Sequence, residues 1–262
     1  MKPKKSLGQN FLRDKKALAD IIESANLIRK DLVIEVGPGE GVLTEQLLKN
    51  ARKVIAIEID KELAKRLQEK FKDTKNFELI SGDILEINLP KLIEEQKVET
   101  EGYKVVANIP YYITSPIIRL FLETKYPPKE MILMTQREVA ERICASPGKM
   151  SILAVSVQYY AIPELQFTVP RTAFFPVPEV DSAVIKITHK MEQLEKDERK
   201  SFFRVLRAGF SAKRKTMANN LSTSLGVEKK IIEKTLQEAG ISPAARAQEL
   251  SVTDWKKIFQ LF

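Results

Sequence analysis

The stretch Asp-Leu-Val-Ile-Glu-Val-Gly-Pro-Gly-Glu-Gly, residues 31–41, indicates the fold of the first half of the chain. Its apolar part predicts a buried strand, and its glycines predict a turn where backbone approaches a ligand closely because no Cβ intervenes. Val42, Leu43, Leu47 and Leu48 follow at helical spacing. We therefore expect a strand, a ligand-binding turn and a helix in direct succession.

The glycine spacing disfavours a dinucleotide cofactor. The turn reads G-x-G-x-G from Gly37 through Gly39 to Gly41, whereas G-x-G-x-x-G is typical of pyrophosphate-binding turns. Glu40 in the turn and Glu35 before it would also set negative charge beside the phosphates. A cofactor that carries positive charge and no phosphate, such as S-adenosylmethionine, fits this turn better.

Strand and helix patterns alternate through the first 190 residues, which predicts a Rossmann-like α/β fold with a parallel sheet. Apolar runs predict strands at 53–57, 77–80, 103–107 and 131–134, and a closing pair at 167–169 and 184–187. Helical spacing predicts helices at 14–25, 61–71, 114–124 and 137–145, and residues 151–155 open another packed element.

The pattern changes near residue 190, after which helical segments continue to the C-terminus without strand signals. We therefore expect an α/β domain over residues 1–188 and a small all-helical domain over 189–262. We expect residues 91–102 to form a charged connector. The proline-interrupted run 174–182 predicts an extended loop.

Acidic residues end two further predicted strands. Glu58 comes about 20 residues after the glycine turn, where a carboxylate can accept both ribose hydroxyls. Asp83 is placed to accept from the amine of an adenine. Each acid alone is equally well explained as a solvated helix cap. In this order along one sheet edge, the two acids and the turn predict a site for S-adenosylmethionine.

The fourth strand end carries Asn108-Ile109-Pro110-Tyr111. The Asn108 oxygen and a nearby backbone carbonyl can accept both hydrogens of an exocyclic amine. The Tyr111 ring can stack on the planar base that bears this amine. The alternative is an ordinary turn, because Asn and Pro both favour turns. With a methyl donor at the neighbouring strand ends, the turn predicts methylation of adenine N6.

Composition narrows the possible chemistry and partners. The 262 residues carry a net charge of +8, which favours a polyanionic partner. Cys144 and His189 are the only residues of their types, which excludes internal disulfides, thiolate or histidine-rich metal sites and histidine triads. No apolar run approaches the roughly 18 residues that span a membrane, and no signal peptide is evident. We expect no metal, no membrane and a cytoplasmic protein.

Basic residues in the last third predict a nucleic-acid surface. Arg204, Arg207, Ser211 and Arg214 recur at helical spacing and are expected to share one helix face, unless the helix breaks near Ser211. Phosphate contact is expected from Lys213, Arg214, Lys215, Asn219 and Asn220. A solvated basic face is the alternative. The first 13 residues, rich in lysine, first suggest a disordered tail.

Sequence blocks over nearly the whole chain are similar to the KsgA family of ribosomal RNA adenine dimethyltransferases. The blocks are residues 5–12 (Lys-Ser-Leu-Gly-Gln-Asn-Phe-Leu), 35–39, 108–111, 174–182, 210–216 and 219–221. Two residues depart from the common pattern: Glu40 replaces a frequent Thr, and Ile109 a frequent Leu.

The resemblance implies specific roles for residues of this chain. It implies that Gln9, Asn10 and Leu12 close over the cofactor, which revises the interpretation of the N-terminus as a tail. It implies Phe174 as a second aromatic wall opposite Tyr111. The implied contacts of S-adenosylmethionine are Gln9, Asn10, Leu12, Gly37, Gly39, Glu58, Ile59, Asp83, Ile84 and Asn108.

The predicted activity is dimethylation of two adjacent adenosines in the 3′-terminal hairpin loop of small-subunit (16S) ribosomal RNA. The expected partner is the immature small ribosomal subunit, bound by a monomer. The catalytic residues are then Asn108, Pro110, Tyr111 and Phe174. The RNA-binding residues are Lys4, Lys5, Arg204, Arg207, Lys213, Arg214 and Lys215.

Several alternatives remain open from the sequence. One is a large-subunit RNA adenine methyltransferase of the macrolide-resistance type, against which residues 174–184 and 213–221 argue. Another is a ribosome-assembly factor without catalysis. A third, an NAD-dependent dehydrogenase, is disfavoured by the glycine spacing. DNA adenine methylation is compatible with the Asn-Ile-Pro-Tyr turn taken alone.

Overall fold

The structure, a computed structural model, describes residues 3–4, 7–96, 102–190 and 196–262. Strands and helices alternate along the first part of the chain, as predicted. In order they are β1 (Phe11–Leu12), α1 (Lys15–Ala25), β2 (Leu32–Val36), α2 (Val42–Asn50), β3 (Lys53–Glu58), α3 (Lys61–Lys70), β4 (Phe77–Ser81), α4 (Leu89–Glu95), β5 (Tyr103–Asn108), α5 (Thr114–Glu123) and β6 (Glu130–Gln136).

The second part of the chain changes from mixed to helical structure after its last strand. Its elements are α6 (Arg137–Ile143), α7 (Ile152–Tyr160), β7 (Ala161–Val169), β8 (Phe174–Phe175), β9 (Ser182–His189), α8 (Lys196–Gly209), α9 (Met217–Leu225), α10 (Lys229–Glu238) and α11 (Val252–Phe259). The predicted strand pair near residues 167 and 184 is confirmed, because β7 and β9 pair in antiparallel register.

Seven of the described strands form one sheet in the order β4-β3-β2-β5-β6-β9-β7. The first five strands of that order are parallel, and β9 and β7 complete the sheet in antiparallel fashion. The chain runs outward from β2 to β4 and then returns to the other side of β2 as β5. Ligands in open α/β sheets bind where the strand order reverses, which here is between the carboxyl ends of β2 and β5.

Local chemistry explains where the first helices begin. Asp14 accepts a hydrogen bond from Ala17 N and caps α1, as the sequence predicts. Asp60 caps α3 through Glu62 N. The strands β2 and β3 are almost wholly buried, which fits their continuous apolar sequence.

One helix was missed from the sequence. Residues 89–95 form α4, whereas a charged connector was expected from residue 91. Leu89, Leu92 and Ile93 are buried at helical spacing, and Asn88 caps the helix by accepting from Lys91 N. The surrounding charged residues obscured this short apolar face.

The chain divides into two compact units, residues 1–140 with 161–189, and residues 141–160 with 190–262. The second unit thus includes α7, which the sequence assigned to the first domain. The reason is aromatic packing: the Tyr159 ring of α7 lies 4.6 Å from that of Phe202 on α8. The limits of independently folding domains remain a prediction.

The basic residues do not share one helix face, because the helix breaks near Ser211, the alternative that the sequence left open. Helix α8 ends at Gly209 and α9 begins only at Met217, so Ser211, Lys213 and Arg214 lie on the connection. The buried Asn220 side chain donates to Gly209 O (2.6 Å) and Ala212 O (3.0 Å), which holds this break. Asn220 is therefore a structural residue, and the prediction that it contacts phosphate is wrong.

Candidate active site

A cavity of about 270 Å³ lies at the carboxyl ends of β2, β3, β4 and β5. Every residue predicted to contact the cofactor lines it, as do Pro110 and Tyr111. The structure thus brings distant parts of the chain together. Asn108 at the end of β5 contacts Asn10 of the N-terminal segment, 98 residues away in sequence. The predicted contacts in the lining are Gln9, Asn10, Leu12, Gly37, Gly39, Glu58, Ile59, Asp83, Ile84 and Asn108.

The glycine turn is built for close approach of other groups. Gly37 has φ +69°, and a Cβ there would lie 3.8 Å from the Asn108 backbone oxygen. Gly39 has φ +59°, and a Cβ there would lie 3.1 Å from the Phe11 ring. Positive φ and a ring directly above the backbone both favour glycine. Phe11, which the sequence did not single out, therefore covers one side of the cavity.

Glu58 is buried and held by backbone amides. One carboxylate oxygen accepts from Gly39 N (3.1 Å) and the other from Asp60 N (2.9 Å). Burial raises the pKa of Glu58 above its ordinary value, and the backbone hydrogen bonds oppose that rise. Each oxygen retains a second lone pair, so the carboxylate can accept a pair of hydroxyl groups.

Glu35 is the most strongly perturbed acid in the cavity lining. Its side chain is buried, and its Oε2 has no hydrogen-bond partner among the described residues. Burial, with a smaller contribution from the Glu58 charge, raises the pKa of Glu35 to about 8. A buried carboxylate without a partner is stabilised by a ligand that brings positive charge. The cavity therefore fits a sulfonium or ammonium group.

Asp83 and Ile84 form the rim that follows β4. Asp83 Oδ1 accepts from Leu85 N (2.9 Å), which fixes the carboxylate at the start of the turn. Ile84 is buried and presents an apolar wall. An apolar wall beside a fixed acceptor is suited to the face and the amine of a purine.

The Asn-Ile-Pro-Tyr turn is ordered by contacts on both sides. Asn108 Nδ2 donates to the Asn10 backbone oxygen (3.2 Å), so the amide oxygen is left to accept from a ligand. The Pro110 oxygen accepts from Ile113 N (3.1 Å), and the Ile109 oxygen is the neighbouring backbone acceptor in the turn. Tyr111 continues as a 3-10 turn, and its hydroxyl lies 2.8 Å from the buried Ser182 Oγ.

The N-terminal segment forms part of the cavity wall, so the first interpretation as a tail is wrong for residues 7–12. Leu12 is buried, and Phe11 and Leu12 pair with β8. Gln9 Nε2 donates to Asp60 Oδ2 (2.9 Å), and Lys4 Nζ donates to Asp60 Oδ1 (2.8 Å). Lys4 is therefore ion-paired within the fold, and its predicted role on RNA stays a prediction. Lys5 lies outside the described residues.

Phe174 does not form the expected wall of the cavity. Its side chain is only 3% exposed and packs in the core with Val169, Ala173 and Val184. Alternation along β8 turns the next residue outward, and Phe175 is 56% exposed. In the described structure Tyr112, which is 58% exposed and lines the cavity, is the aromatic residue beside Tyr111.

The other predicted RNA-binding residues are on the surface. Arg204 and Arg207 are exposed on α8, and Lys213, Arg214 and Lys215 are exposed on the connection to α9. Within the described residues, no cluster of three or more His, Cys, Asp and Glu could hold a metal ion. In the same part of the chain, no helix has the length and apolar character needed to cross a membrane.

Comparison with known proteins gives matches over the whole chain. A family model described as "Ribosomal RNA adenine dimethylase" matches residues 1–262. A "Ribosomal RNA small subunit methyltransferase A" of Dehalococcoides mccartyi is 48% identical, over 98% of this chain and 88% of that protein. A protein of the same name from Caldanaerobacter subterraneus is 43% identical, over 98% and 96%.

Two solved structures share the fold. The 23S rRNA methyltransferase ErmE is 31% identical with a TM-score of 0.76, over 96% of this chain and 98% of that one. A dimethyladenosine transferase from Plasmodium falciparum is 27% identical with a TM-score of 0.78, over 95% of both chains. These structures confirm the predicted Rossmann-like fold with a helical C-terminal part.

Proposed function

Because this chain belongs to the ribosomal RNA adenine dimethylase family, we propose that it dimethylates N6 of two adjacent adenosines in small-subunit ribosomal RNA. The bases are those of the 3′-terminal hairpin loop, the methyl donor is S-adenosylmethionine, and the chain acts as a cytoplasmic monomer on an immature small subunit. Relatives that are 43–48% identical over nearly the whole chain are named as small-subunit enzymes, which supports this choice.

The observation that carries the proposal is the convergence of four strand ends on one cavity. The glycine turn, Glu58, Asp83 and Asn108 lie at the carboxyl ends of β2, β3, β4 and β5 in turn, and all line the same space. Glu58 is then the acceptor for the ribose hydroxyls and Asp83 for the cofactor's adenine amine. Glu35, buried without a partner for Oε2, supports a cofactor with positive charge.

Asn108 and Ile109 would hold the reacting amine. The Asn108 amide oxygen and the Ile109 carbonyl oxygen accept its two hydrogens, which draws the nitrogen lone pair out of the purine ring. The Asn10 carbonyl fixes the Asn108 amide so that its oxygen, and not its nitrogen, faces the amine. Tyr111 stacks on the base, which has left the RNA stack to reach the cavity.

S-adenosylmethionine supplies the electrophilic methyl group on a sulfonium sulfur. The residues of the turn contribute position, since they hold the amine nitrogen in line with this group. The amine loses a proton once its nitrogen has bonded to carbon, and that proton is acidic enough to pass to water. Catalysis therefore requires no strong base, in agreement with a chain that carries a single histidine, His189, outside the cavity lining.

The basic residues of the helical unit would hold the RNA backbone. Lys213, Arg214 and Lys215 are exposed side by side, and Arg204 and Arg207 are exposed on α8. Contacts of this kind are with phosphates. The logarithm of the binding constant therefore falls with the logarithm of the salt concentration, with a slope of roughly one for each phosphate that is neutralised. Lys4 is paired with Asp60 but its side chain is 41% exposed, so its contact with RNA stays a prediction.

A large-subunit substrate is the second candidate. The solved structure of the 23S rRNA methyltransferase ErmE is 31% identical over 96% of this chain. The Asn-x-Pro-Tyr chemistry is the same for both substrates, so the cavity does not distinguish them.

The proposed function is tested on unmethylated ribosomal subunits. Small and large subunits are incubated separately with the protein and labelled S-adenosylmethionine, and nucleosides are then identified by mass spectrometry. We expect N6,N6-dimethyladenosine at two adjacent positions of small-subunit RNA only. Label in large-subunit RNA alone would establish the second candidate instead. Binding without any transfer would indicate an assembly factor.

A further inference from the structure

Asp60, the residue that caps α3, has more partners than a cap requires. Its side chain is fully buried, and its two oxygens accept from Lys4 Nζ (2.8 Å) and Gln9 Nε2 (2.9 Å) as well as from Glu62 N (3.0 Å). Burial alone would raise the pKa of Asp60, but the hydrogen bonds from Lys4 and Gln9 outweigh burial and hold it below its ordinary value.

Asp14 shows that capping alone does not need these partners. It also caps a helix, by accepting from Ala17 N (2.8 Å), yet its side chain is exposed and no ion pair forms with it among the described residues. The two side-chain donors at Asp60 come from the N-terminal segment, 56 and 51 residues away in sequence. Asp60 therefore anchors that segment in addition to capping α3.

The anchored segment reaches the reacting end of the cavity within a few residues. Gln9 is held twice, because its Oε1 accepts from Lys4 N (2.7 Å) while its Nε2 donates to Asp60. The next residue, Asn10, receives the hydrogen bond from Asn108 Nδ2 (3.2 Å) on its backbone oxygen. On the other side of Asn10, Phe11 pairs with β8, so the carbonyl of Asn10 is fixed from both directions.

We propose that Asp60, Lys4 and Gln9 form a latch that holds the N-terminal segment over the cofactor and thereby orients the Asn108 amide. Asp60 and Lys4 are positioning residues in this proposal, since they act through Gln9 and Asn10 and not on the substrate. The latch also connects to the cofactor site, because Asp60 N donates to the Glu58 carboxylate (2.9 Å). The proposal rests on the proposed function of the same cavity.

The latch is tested with variants that keep the helix cap. Asp60→Asn retains an acceptor for Glu62 N but removes the charge that pairs with Lys4, and Lys4→Met removes the ammonium group. Asp14→Asn and Lys16→Met are the matched controls, because both positions are exposed and outside the cavity lining. Titration calorimetry with S-adenosylhomocysteine measures cofactor-site affinity without turnover.

We expect each latch variant to bind S-adenosylhomocysteine about tenfold more weakly than the wild type, the size expected for one hydrogen bond to a charged group. Hydrogen exchange of residues 7–12 should become faster in both. The value of kcat should also fall at saturating cofactor, because the Asn108 amide is no longer held. If affinity for S-adenosylhomocysteine falls but kcat is unchanged, the proposal that the latch orients the Asn108 amide is wrong.

The pairing itself is tested by a double-mutant cycle. If Lys4 and Asp60 act as one unit, Lys4→Met combined with Asp60→Asn should be no worse than Asp60→Asn alone. Additive losses, or exchange of residues 7–12 that matches the wild type, would overturn the latch. The proposed function fails separately, when the wild-type protein itself does not bind S-adenosylhomocysteine or methylate small subunits.

Discussion

Buried acids at the amino ends of the parallel sheet are paired with lysines, whereas Glu35 and Glu58 at its carboxyl ends are not, among the described residues. At the amino ends, the buried Lys104 lies between Asp31 Oδ2 (3.4 Å) and Glu130 Oε2 (3.1 Å). Lys129 adds a contact to Asp31 and Lys186 one to Glu130, both at 2.8 Å. At the carboxyl ends, the buried Glu35 keeps an oxygen without a partner in the described structure.

The pKa values of the acids follow this difference. Burial would raise the pKa of Asp31 and Glu130, but hydrogen bonds and charges from the lysines outweigh burial and lower both values. Burial raises the pKa of Glu35 and of Glu58, which receive no lysine. Strand β2 joins the two ends, because Asp31 precedes it and Glu35 lies within it.

This difference shows which buried acids stabilise the native state and which can bind a cationic ligand. A buried acid with a fixed lysine contributes to the native state, whereas a buried acid without one destabilises it until a cation arrives. The paired acids at the amino ends therefore stabilise the fold, whereas Glu35 and Glu58 at the carboxyl ends carry a stability cost that a cationic ligand can offset. Substitutions at the two ends should have opposite effects.

The largest effect is expected from Lys104→Met. The change leaves the buried Asp31 and the partly buried Glu130 with fewer partners and should lower the free energy of unfolding by about 3–5 kcal/mol. Urea denaturation measures this loss. Lys53→Met is the control, because the Lys53–Glu78 pair is partly exposed and should contribute only about 0–1 kcal/mol. Equal losses in the two variants would remove the contrast between buried and exposed pairs.

Asn108→Ala should affect activity instead of stability. Without the amide oxygen the amine is neither polarised nor positioned, and kcat should fall by roughly a thousandfold. The melting temperature should stay near that of the wild type, as it should for the control Asn50→Ala. Dimethylation at a wild-type rate in Asn108→Ala would contradict the assigned role.

Glu35→Gln tests the stability cost at the carboxyl ends. The pKa of Glu35 is raised to about 8 in the folded protein. The contribution of Glu35 to the free energy of unfolding is therefore fully present at low pH, where the side chain is protonated. It is lost progressively as pH rises from the ordinary value of about 4.5 towards 8. The glutamine stays neutral, so the variant should be more stable than the wild type by about 3 kcal/mol at pH 7.

Glu130→Gln is the opposite control for this experiment. The pKa of Glu130 is lowered, so its contribution is present above the ordinary value and is lost as pH falls through the folded value. Its replacement should destabilise the protein at pH 7. Glu35→Gln should also bind S-adenosylmethionine about tenfold more weakly. A destabilised Glu35→Gln variant would mean that the two ends do not differ as described.

The smallest effect is expected from Tyr111→Phe. The stacking face of the ring is kept, and only the contact of its hydroxyl with Ser182 (2.8 Å) is lost. We expect kcat/KM to change by about two- to fivefold, in line with one neutral hydrogen bond. Tyr111→Ala removes the ring and should abolish transfer. Steady-state kinetics of both variants separate stacking from ring anchoring.

Much of the fold and of the site follows from short stretches of sequence. The apolar runs and the glycine turn predicted β2 and the cavity beside it, and the strand-end rule brought Glu58, Asp83 and Asn108 to one edge. Helix α4 was missed because its three apolar residues are embedded in charged sequence. The sequence left open whether the basic helix breaks near Ser211, because the break is held by the Asn220 side chain.

The sequence by itself determined the order of chemical groups along the sheet edge, since that order follows from covalent connection and strand direction. Only the tertiary structure decided which groups face one another across the chain. The pairing of β1 with β8 turns Phe174 into the core and Phe175 outward. Lys4 meets Asp60 across 56 residues, and Asn10 meets Asn108 across 98. Such contacts depend on packing between distant segments, which no local pattern encodes.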